Sequence, residues 1–394
     1  MTSKRRTASL IVISVLVFSA CSTVAPSVGP TTAPATTSPT TAASPGASAP
    51  AAATPAPSMS AYSLRLAKDK ATMVDTTKYK KDGPYTIGAT AQGTFNGWGL
   101  MVDVGLKWSA TQHPEIGQLI VNNGDGDANK QIGIVEDFIS QKVDAIVLDP
   151  LGAAALSAPA ARAMAAGIPV ITCLNGLDGD DYVTHIDVDL YQTAYDVATD
   201  MANAMGGQGN AIILNGIPGV DAAEVWKKAA EDALAKFPNI KVVGNEYTNW
   251  SVATATTTVA SLLSRAGKID GVYAGGSEMA IGAINALTAA NQPMPKFGVN
   301  NPLNGFLRLA IEKNLTFSAA PDAPGIAPLC VDYALKVLKG ETVSRFIDIN
   351  EALPDAKPYD QSKAQQFYKP AFNDDYIYPT LVPDDVALAA GFGR

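Results

Sequence analysis

The sequence predicts an α/β protein built as two doubly wound parallel-sheet lobes. Two observations point there. From Tyr85 onward, short apolar runs alternate with segments of helical period, the pattern of βα units. The apolar runs also fall into two successive series of about five, each sufficient for one sheet. With 394 residues and 47% hydrophobic content, the chain has room for two or three domains and can bury a sizeable core.

The first sixty residues stand apart from that pattern. Lys4, Arg5 and Arg6 precede the apolar run LIVISVLVF at 10–18, which is too short to span a bilayer and reads as part of a signal peptide covering 1–20. The boundary Phe18-Ser19-Ala20-Cys21 resembles a bacterial lipobox, with Phe18 in place of the usual leucine. That resemblance implies that Cys21 is diacylated and becomes the mature N-terminus. Residues 22–60 carry no charge and are almost wholly Ala, Thr, Ser and Pro. Such a stretch buries too little apolar surface to offset its ordering entropy, so 21–60 is expected to be a disordered, semi-extended tether, with a composition that also suits O-glycosylation. Residues 61–84 form a lead-in, with a short helix over 64–73 and a Lys-rich run at 78–81 turning through Asp82-Gly83-Pro84 into the first strand.

Strands are then predicted at 85–91, 116–121, 145–148, 169–173 and 183–187, followed by 210–214, 241–247, 271–274, 296–300 and 316–319. Helices fill the gaps at 129–141, 153–166, 190–205, 222–236, 253–264, 279–290 and 327–338, and Trp108 falls within another. Ligands of doubly wound sheets sit beyond the carboxyl ends of the strands, so the strand-to-helix loops are the place to look for a site.

Composition excludes several functions. Charged residues make up 17% of the chain and the formal net charge is −8. Loss of residues 1–20 removes three cations and no acid, so the mature chain is more acidic still. That balance does not suit tracking of nucleic-acid phosphates. Two histidines and three cysteines leave little material for a zinc site or a His-based triad. Gly275-Gly276-Ser277-Glu278-Met279 lacks the closing glycine of a nucleophile elbow, and no Walker loop is present. A secreted hydrolase is the alternative from a different class; no cofactor is expected.

The order of the loops carries a family resemblance. Thr86-Ile87-Gly88 followed by Gln92-Gly93-Thr94-Phe95-Asn96-Gly97-Trp98 resembles the first strand and loop of ribose- and galactose-type periplasmic binding proteins. So do DAIVLDP at 144–150, AGIPVIT at 166–172, HIDVD at 185–189, LNGIPG at 214–219, SEMAIGA at 277–283 and KVLKGE at 336–341. The chain thus resembles the type I solute-binding proteins of sugar ABC importers over about residues 85–350. The resemblance implies an N-terminal lobe of 85–188 plus 322–346 and a C-terminal lobe of 189–321 plus 347–354. A three-stranded hinge would lie near 187–189, 320–323 and 346–350. It implies a monomeric, extracytoplasmic lipoprotein that captures a small neutral sugar or polyol and delivers it to an ABC permease. The lobes would open without ligand and close around it.

Planar amides and carboxylates bond vicinal hydroxyls, and aromatic rings stack on C–H faces. Carried over by resemblance, the ligand residues are Gln92, Phe95, Asn96 and Trp98 in the first loop, Asn175 after the fourth strand, then Glu224, Trp226, Trp250, Ser277, Glu278, Asn300 and Asp322. Each has a competing role: Gln92 and Asn96 as helix caps, Glu224 as a first-turn carboxylate, the tryptophans as packing residues. The arginine and aspartate usual in the family are absent at Glu224, Trp226 and Asn300, so the site is less charged and more aromatic. A quaternary-ammonium ligand, caged by tryptophans, is therefore the alternative ligand class.

Three further features stay open in the sequence. Asp125, Asp127, Asn129 and Glu136 approach a calcium-loop spacing, but Lys130 replaces its glycine, and the stretch reads better as a turn with Asp127 capping a helix. Cys173 and Cys330 are read as a possible disulfide or two buried thiols. Residues 355–394, rich in Tyr, Phe and Pro, are expected to pack on a lobe surface rather than reach the cleft.

Overall fold

The computed structural model describes residues 60–394 apart from Ala323, Pro354 and Ala356. The signal peptide, Cys21 and the tether lie outside the described residues. Fourteen strands are present among the described residues: β1 (Met73–Val74), β2 (Tyr85–Ala91), β3 (Ile116–Asn123), β4 (Ala145–Leu148), β5 (Val170–Cys173), β6 (Thr184–Asp187) and β7 (Gln208–Asn215), then β8 (Asn239–Tyr247), β9 (Gly271–Ala274), β10 (Lys296–Asn300), β11 (Phe317–Ala320), β12 (Val343–Ser344), β13 (Phe346–Asp348) and β14 (Tyr359–Asp360). The main helices are α1 (Ser60–Ala71), α2 (Gly97–Gln112), α3 (Ala128–Gln141), α4 (Ala153–Ala165) and α5 (Leu190–Ala204), then α6 (Asp221–Leu234), α7 (Val252–Ala266), α8 (Ser277–Ala289), α9 (Asn304–Glu312) and α10 (Ala327–Leu338).

Twelve of these strands build two six-stranded sheets, and β1 and β12 pair antiparallel on their own. The first runs β13-β6-β5-β4-β2-β3 and is parallel throughout. The second runs β14-β11-β10-β9-β7-β8 and is parallel except at β14. β2, β4 and β5 are almost wholly buried, as expected of parallel strands covered by helices on both faces. One apolar cluster runs from Ile87 and Val102 in the first lobe to Ile213 and Trp226 in the second, so the lobes share a continuous core next to the hinge.

Two boundaries differ from the sequence reading. Ile347 and Asp348, expected in the second lobe, pair in register with Ile186 and Asp187 of β6 and so belong to the first lobe's sheet. The third crossover therefore lies after Asp348. Tyr359 and Asp360, expected in the surface extension, instead add the antiparallel edge strand to the second sheet. Strands of two or three residues carry too little periodicity to be read without their partners. α9 has no counterpart in the sequence reading: it is short, and its N-cap, Leu303, offers no capping side chain. The lead-in helix spans Ser60–Ala71 rather than 64–73. Trp108 is half-buried and outside the core clusters.

Cys173, at the end of β5, and Cys330, in α10, form a disulfide with Cα atoms 6.1 Å apart. It ties the returning segment of the first lobe to its sheet across 157 residues of sequence. The calcium-like stretch is a helix start: Asp127 accepts from the Asn129 amide, Lys130 pairs with Asp125, and Glu136 pairs with Arg162 from its place on α3. Among the described residues no acidic, His or Cys group is arranged to hold a metal ion, and no helix is long and apolar enough to cross a membrane.

Candidate functional site

The carboxyl ends of both sheets face each other across a cavity of about 490 Å³ including its mouth. Nine of the residues carried over from the sequence line it: Gln92, Phe95, Asn96, Trp98, Asn175, Trp226, Trp250, Glu278 and Asp322. Three do not. Glu224 sits on the outer side of α6, where it accepts from the Gly219 amide and the Tyr247 hydroxyl. The helix turns about 100° per residue, so Trp226, two positions on, faces inward while Glu224 faces solvent. The Ser277 hydroxyl accepts from the Leu303 amide at 2.9 Å, and Asn300 accepts from the buried Tyr273 hydroxyl at 2.8 Å. Both hold the second lobe together.

Local sequence explains how the side chains reach the cavity. Asn96 caps α2, accepting from the Gly99 amide at 2.9 Å, which sets Trp98 on the first turn facing the cleft. The Trp98 indole N–H donates to the Asp322 carbonyl at 3.4 Å. Trp250 has a left-handed backbone, φ 51°, and its indole N–H donates to the Gly275 carbonyl at 2.6 Å. Its ring occupies the space that a Cβ on Gly216 would need, so this approach requires glycine there. Trp226 is 1% exposed, and its indole nitrogen has no protein acceptor.

A polar layer lies beneath the aromatic rings. Asp149 at the end of β4 accepts from Asn175 at 2.8 Å and from Gln92 at 3.4 Å, leaving its other oxygen unpaired. Asn175 also accepts from the Ala222 amide at the start of α6, a contact between lobes. Asn96 donates to Glu278 across the cleft at 3.3 Å, and Gly176 donates to Asp221. Asp322 donates its amide to Asn301 at 2.7 Å, and one of its carboxylate oxygens is buried without a partner. Burial pushes the carboxyls of Asp149, Glu278 and Asp322 each up to about 7. The neighbouring Asp149 charge adds to the rise at Asp322, while the amides of Asn175 and Gln92 pull Asp149 back. Among the described residues, no Lys or Arg lines the cavity.

Sequence reasoning missed Asn301, Ala222, Ile377 and the supporting Asp149. Asn301 was legible in principle, because an asparagine just past a strand end tolerates the left-handed φ of 51° found there. Asp149 ends an apolar strand at the edge where ligands bind in such sheets. No local signal marks Ile377.

The sequence profile of the periplasmic binding protein domain matches residues 87–342. The chain belongs to that family. Among its relatives, this binding protein is 31% identical over 190 residues to the xylitol-binding protein of Mycolicibacterium smegmatis, covering 48% of this chain and 54% of that one. It therefore spans about half the length of that relative. It is 23% identical to the ribose import binding protein of Bacillus subtilis over 263 residues, covering 67% and 85% of the two chains. A solute-binding protein of an ABC transporter from Actinobacillus succinogenes, solved with bound D-allose, superposes with a TM-score of 0.62 at 25% identity, over 72% of this chain and all of that one. These relatives are named as binding proteins rather than enzymes.

Proposed function

We propose that this chain captures a small sugar or polyol between its lobes outside the cytoplasm and delivers it to an ABC permease. The carrying observation is the cavity itself, where the rings of Trp98, Trp226 and Trp250 meet the amides of Gln92, Asn96, Asn175 and Asn301 and the carboxyls of Glu278 and Asp322. Rings suit C–H faces, and amides and carboxyls suit hydroxyls. The xylitol, ribose and D-allose named for the relatives support the same ligand class. A ligand touching both lobes favours the closed arrangement, which the Asn96–Glu278 and Asn175–Ala222 contacts already outline.

A thermal-shift screen of monosaccharides and polyols identifies the ligand, because binding to the folded state alone raises the melting temperature. Calorimetry with that ligand then tests the site. Trp98→Ala and Trp250→Ala are each expected to weaken binding by about 1–3 kcal/mol, roughly ten- to hundredfold. Trp108→Ala is expected to leave affinity unchanged. Wild-type affinity in both cleft variants would mean that the ligand sits elsewhere.

A second reading concerns ligand charge. Buried carboxylate oxygens without partners, tryptophan faces and a lining without Lys or Arg also suit a quaternary ammonium or other cationic ligand. Including quaternary amines in the screen discriminates the two: stabilisation by amines and by no sugar or polyol selects the cationic reading.

The lipobox resemblance at Cys21 supports anchoring to the membrane, with residues 21–60 as the tether. Cys21→Ala is expected to move the protein from the membrane to the soluble fraction. Persistent sedimentation after a salt wash would overturn the anchor.

A further inference from the structure

The C-terminal extension, residues 355–394, is expected from the sequence to coat one lobe. It instead fastens to both, on either side of the cavity mouth. On the second lobe, Asn304 at the start of α9 binds it with its whole side chain. The amide nitrogen donates to the carbonyls of Lys369, Phe372 and Asn373 at 3.0 Å, and the amide oxygen accepts from the Lys369 amide at 2.9 Å. The backbone amides of Asn304 and Gly305 donate to the carbonyls of Tyr376 and Asp374, and Arg308 grips the Asp374 carboxylate with two nitrogens.

On the first lobe the attachment is mainly apolar, with one backbone hydrogen bond. Phe372, Tyr376, Val382 and Phe392 bury against Met101 of α2 in a cluster separate from the lobe cores. Leu381 donates its amide to the carbonyl of Gly325, just before α10. The approach to each lobe is close enough to exclude a side chain: a Cβ on Gly97 would lie 2.2 Å from the Asp375 carbonyl, and one on Gly305 would lie 2.7 Å from the Asp374 Cβ. Between these attachments Ile377 pairs with Leu303 and supplies the aliphatic wall of the cavity.

We propose that residues 372–394 form a strap that completes the ligand cavity through Ile377 and holds the two lobes together before any ligand arrives. The strap is internally stapled by stacking of Phe372 on Tyr376, ring centroids 3.9 Å apart, and by the Asn373 amide donating to Phe392. It therefore moves as a unit. Hinge opening separates α2 from α9 and must pull the strap off one of them. Its grip on α9 is a dense set of directional bonds, while its hold on the first lobe is the apolar cluster on α2 and the single Leu381–Gly325 bond, so the first lobe is where it parts. Ligand exchange then depends on exposing Met101, Val382 and Phe392 to water, a barrier that three short crossovers alone would not impose. The inference goes beyond the proposed ligand class and stands whichever ligand the cavity takes.

Spin labels at Gln141→Cys on the first lobe and Ser264→Cys on the second, in a chain carrying Cys21→Ser, report the interlobe distance by double electron–electron resonance. With co-purified ligand removed, the otherwise wild-type chain is expected to give a single narrow distance. Phe392→Ala with Val382→Ala is expected to add a second population and raise the displaced fraction at least roughly tenfold. If the pair melts below the working temperature, Val382→Ala alone is expected to produce the same second distance in smaller amount. A broad distribution in the ligand-free parent chain, or a folded variant that keeps the single narrow distance, would overturn the strap.

Discussion

Trp226→Ala is expected to cost about 3–5 kcal/mol of folding stability, the range for deleting a large buried aromatic. The residue sits where the second lobe's core meets the cavity floor. Its ring packs over Gly275, at the end of β9, and joins the apolar cluster shared by both lobes. Neighbours on α6 and β9 are held by their own backbone ladders and cannot collapse into the vacated space. A urea or thermal melt reads the loss directly. Trp226→Phe refills most of the volume and should recover more than half of it. An alanine variant losing less than about 1 kcal/mol would mean that the ring is not part of the core. In whatever fraction remains folded, ligand affinity should also fall, because the same ring forms a wall of the cavity.

Stability is expected to rise when pH is lowered from 7.5 toward 5, contrary to the usual behaviour of proteins stabilised by ionised surface acids. Asp149, Glu278 and Asp322 titrate near 7 in the folded chain because burial penalises their charged forms. Asp187 beside them is also raised, by burial and by the Asp322 charge. In the unfolded chain such groups titrate near about 4. Between those values the folded state holds protons that the unfolded state releases, so stability falls as pH rises through the window and levels off above 7. Each group contributes up to about 1.4 kcal/mol per pH unit, less where the charges interact. His185 opposes the trend. Burial lowers it to about 3, so its contribution is lost as pH falls below about 6.5. Several carboxyls against one imidazole leave the net slope in favour of acid. Melting temperatures from pH 5 to 8 test this, with Asp322→Asn expected to flatten part of the slope. A melting temperature that rises steadily toward pH 8 would contradict it.

The parallel strands were legible because their apolar runs are unbroken and bounded by turns. The reading of 145–148 and 271–274 coincides with β4 and β9. Ile347 and Asp348 of β13, and all of β14, are placed in the wrong part of the molecule by the sequence reading because two or three residues carry no period, and pairing with β6 and β11 alone makes them strands. The site behaved similarly. Gln92, Asn96 and Trp98 follow one another from the loop after β2 into the first turn of α2, so placing that loop placed all three. Glu224 and Trp226 share a helix turn, and the two-residue offset sends them to opposite sides. Asn300 and Asn301 are neighbours with different duties: the first bonds Tyr273 within its lobe, and the second reaches the cavity through a left-handed turn.

By itself the sequence determined the alternation of strands and helices, the two-sheet architecture and the loops that carry the cavity. These follow from hydrophobic periodicity and turn chemistry, which are local and act before any distant contact forms. Only the tertiary structure decided what depends on residues far apart in the chain. It joined Cys173 to Cys330, buried the carboxyls of Asp149 and Asp322 with one oxygen of each left unpaired, and carried the C-terminal segment across the cleft mouth. Bridging range, desolvation and close backbone approach are properties of positions in space, and the order of residues along the chain does not contain them until the lobes have packed.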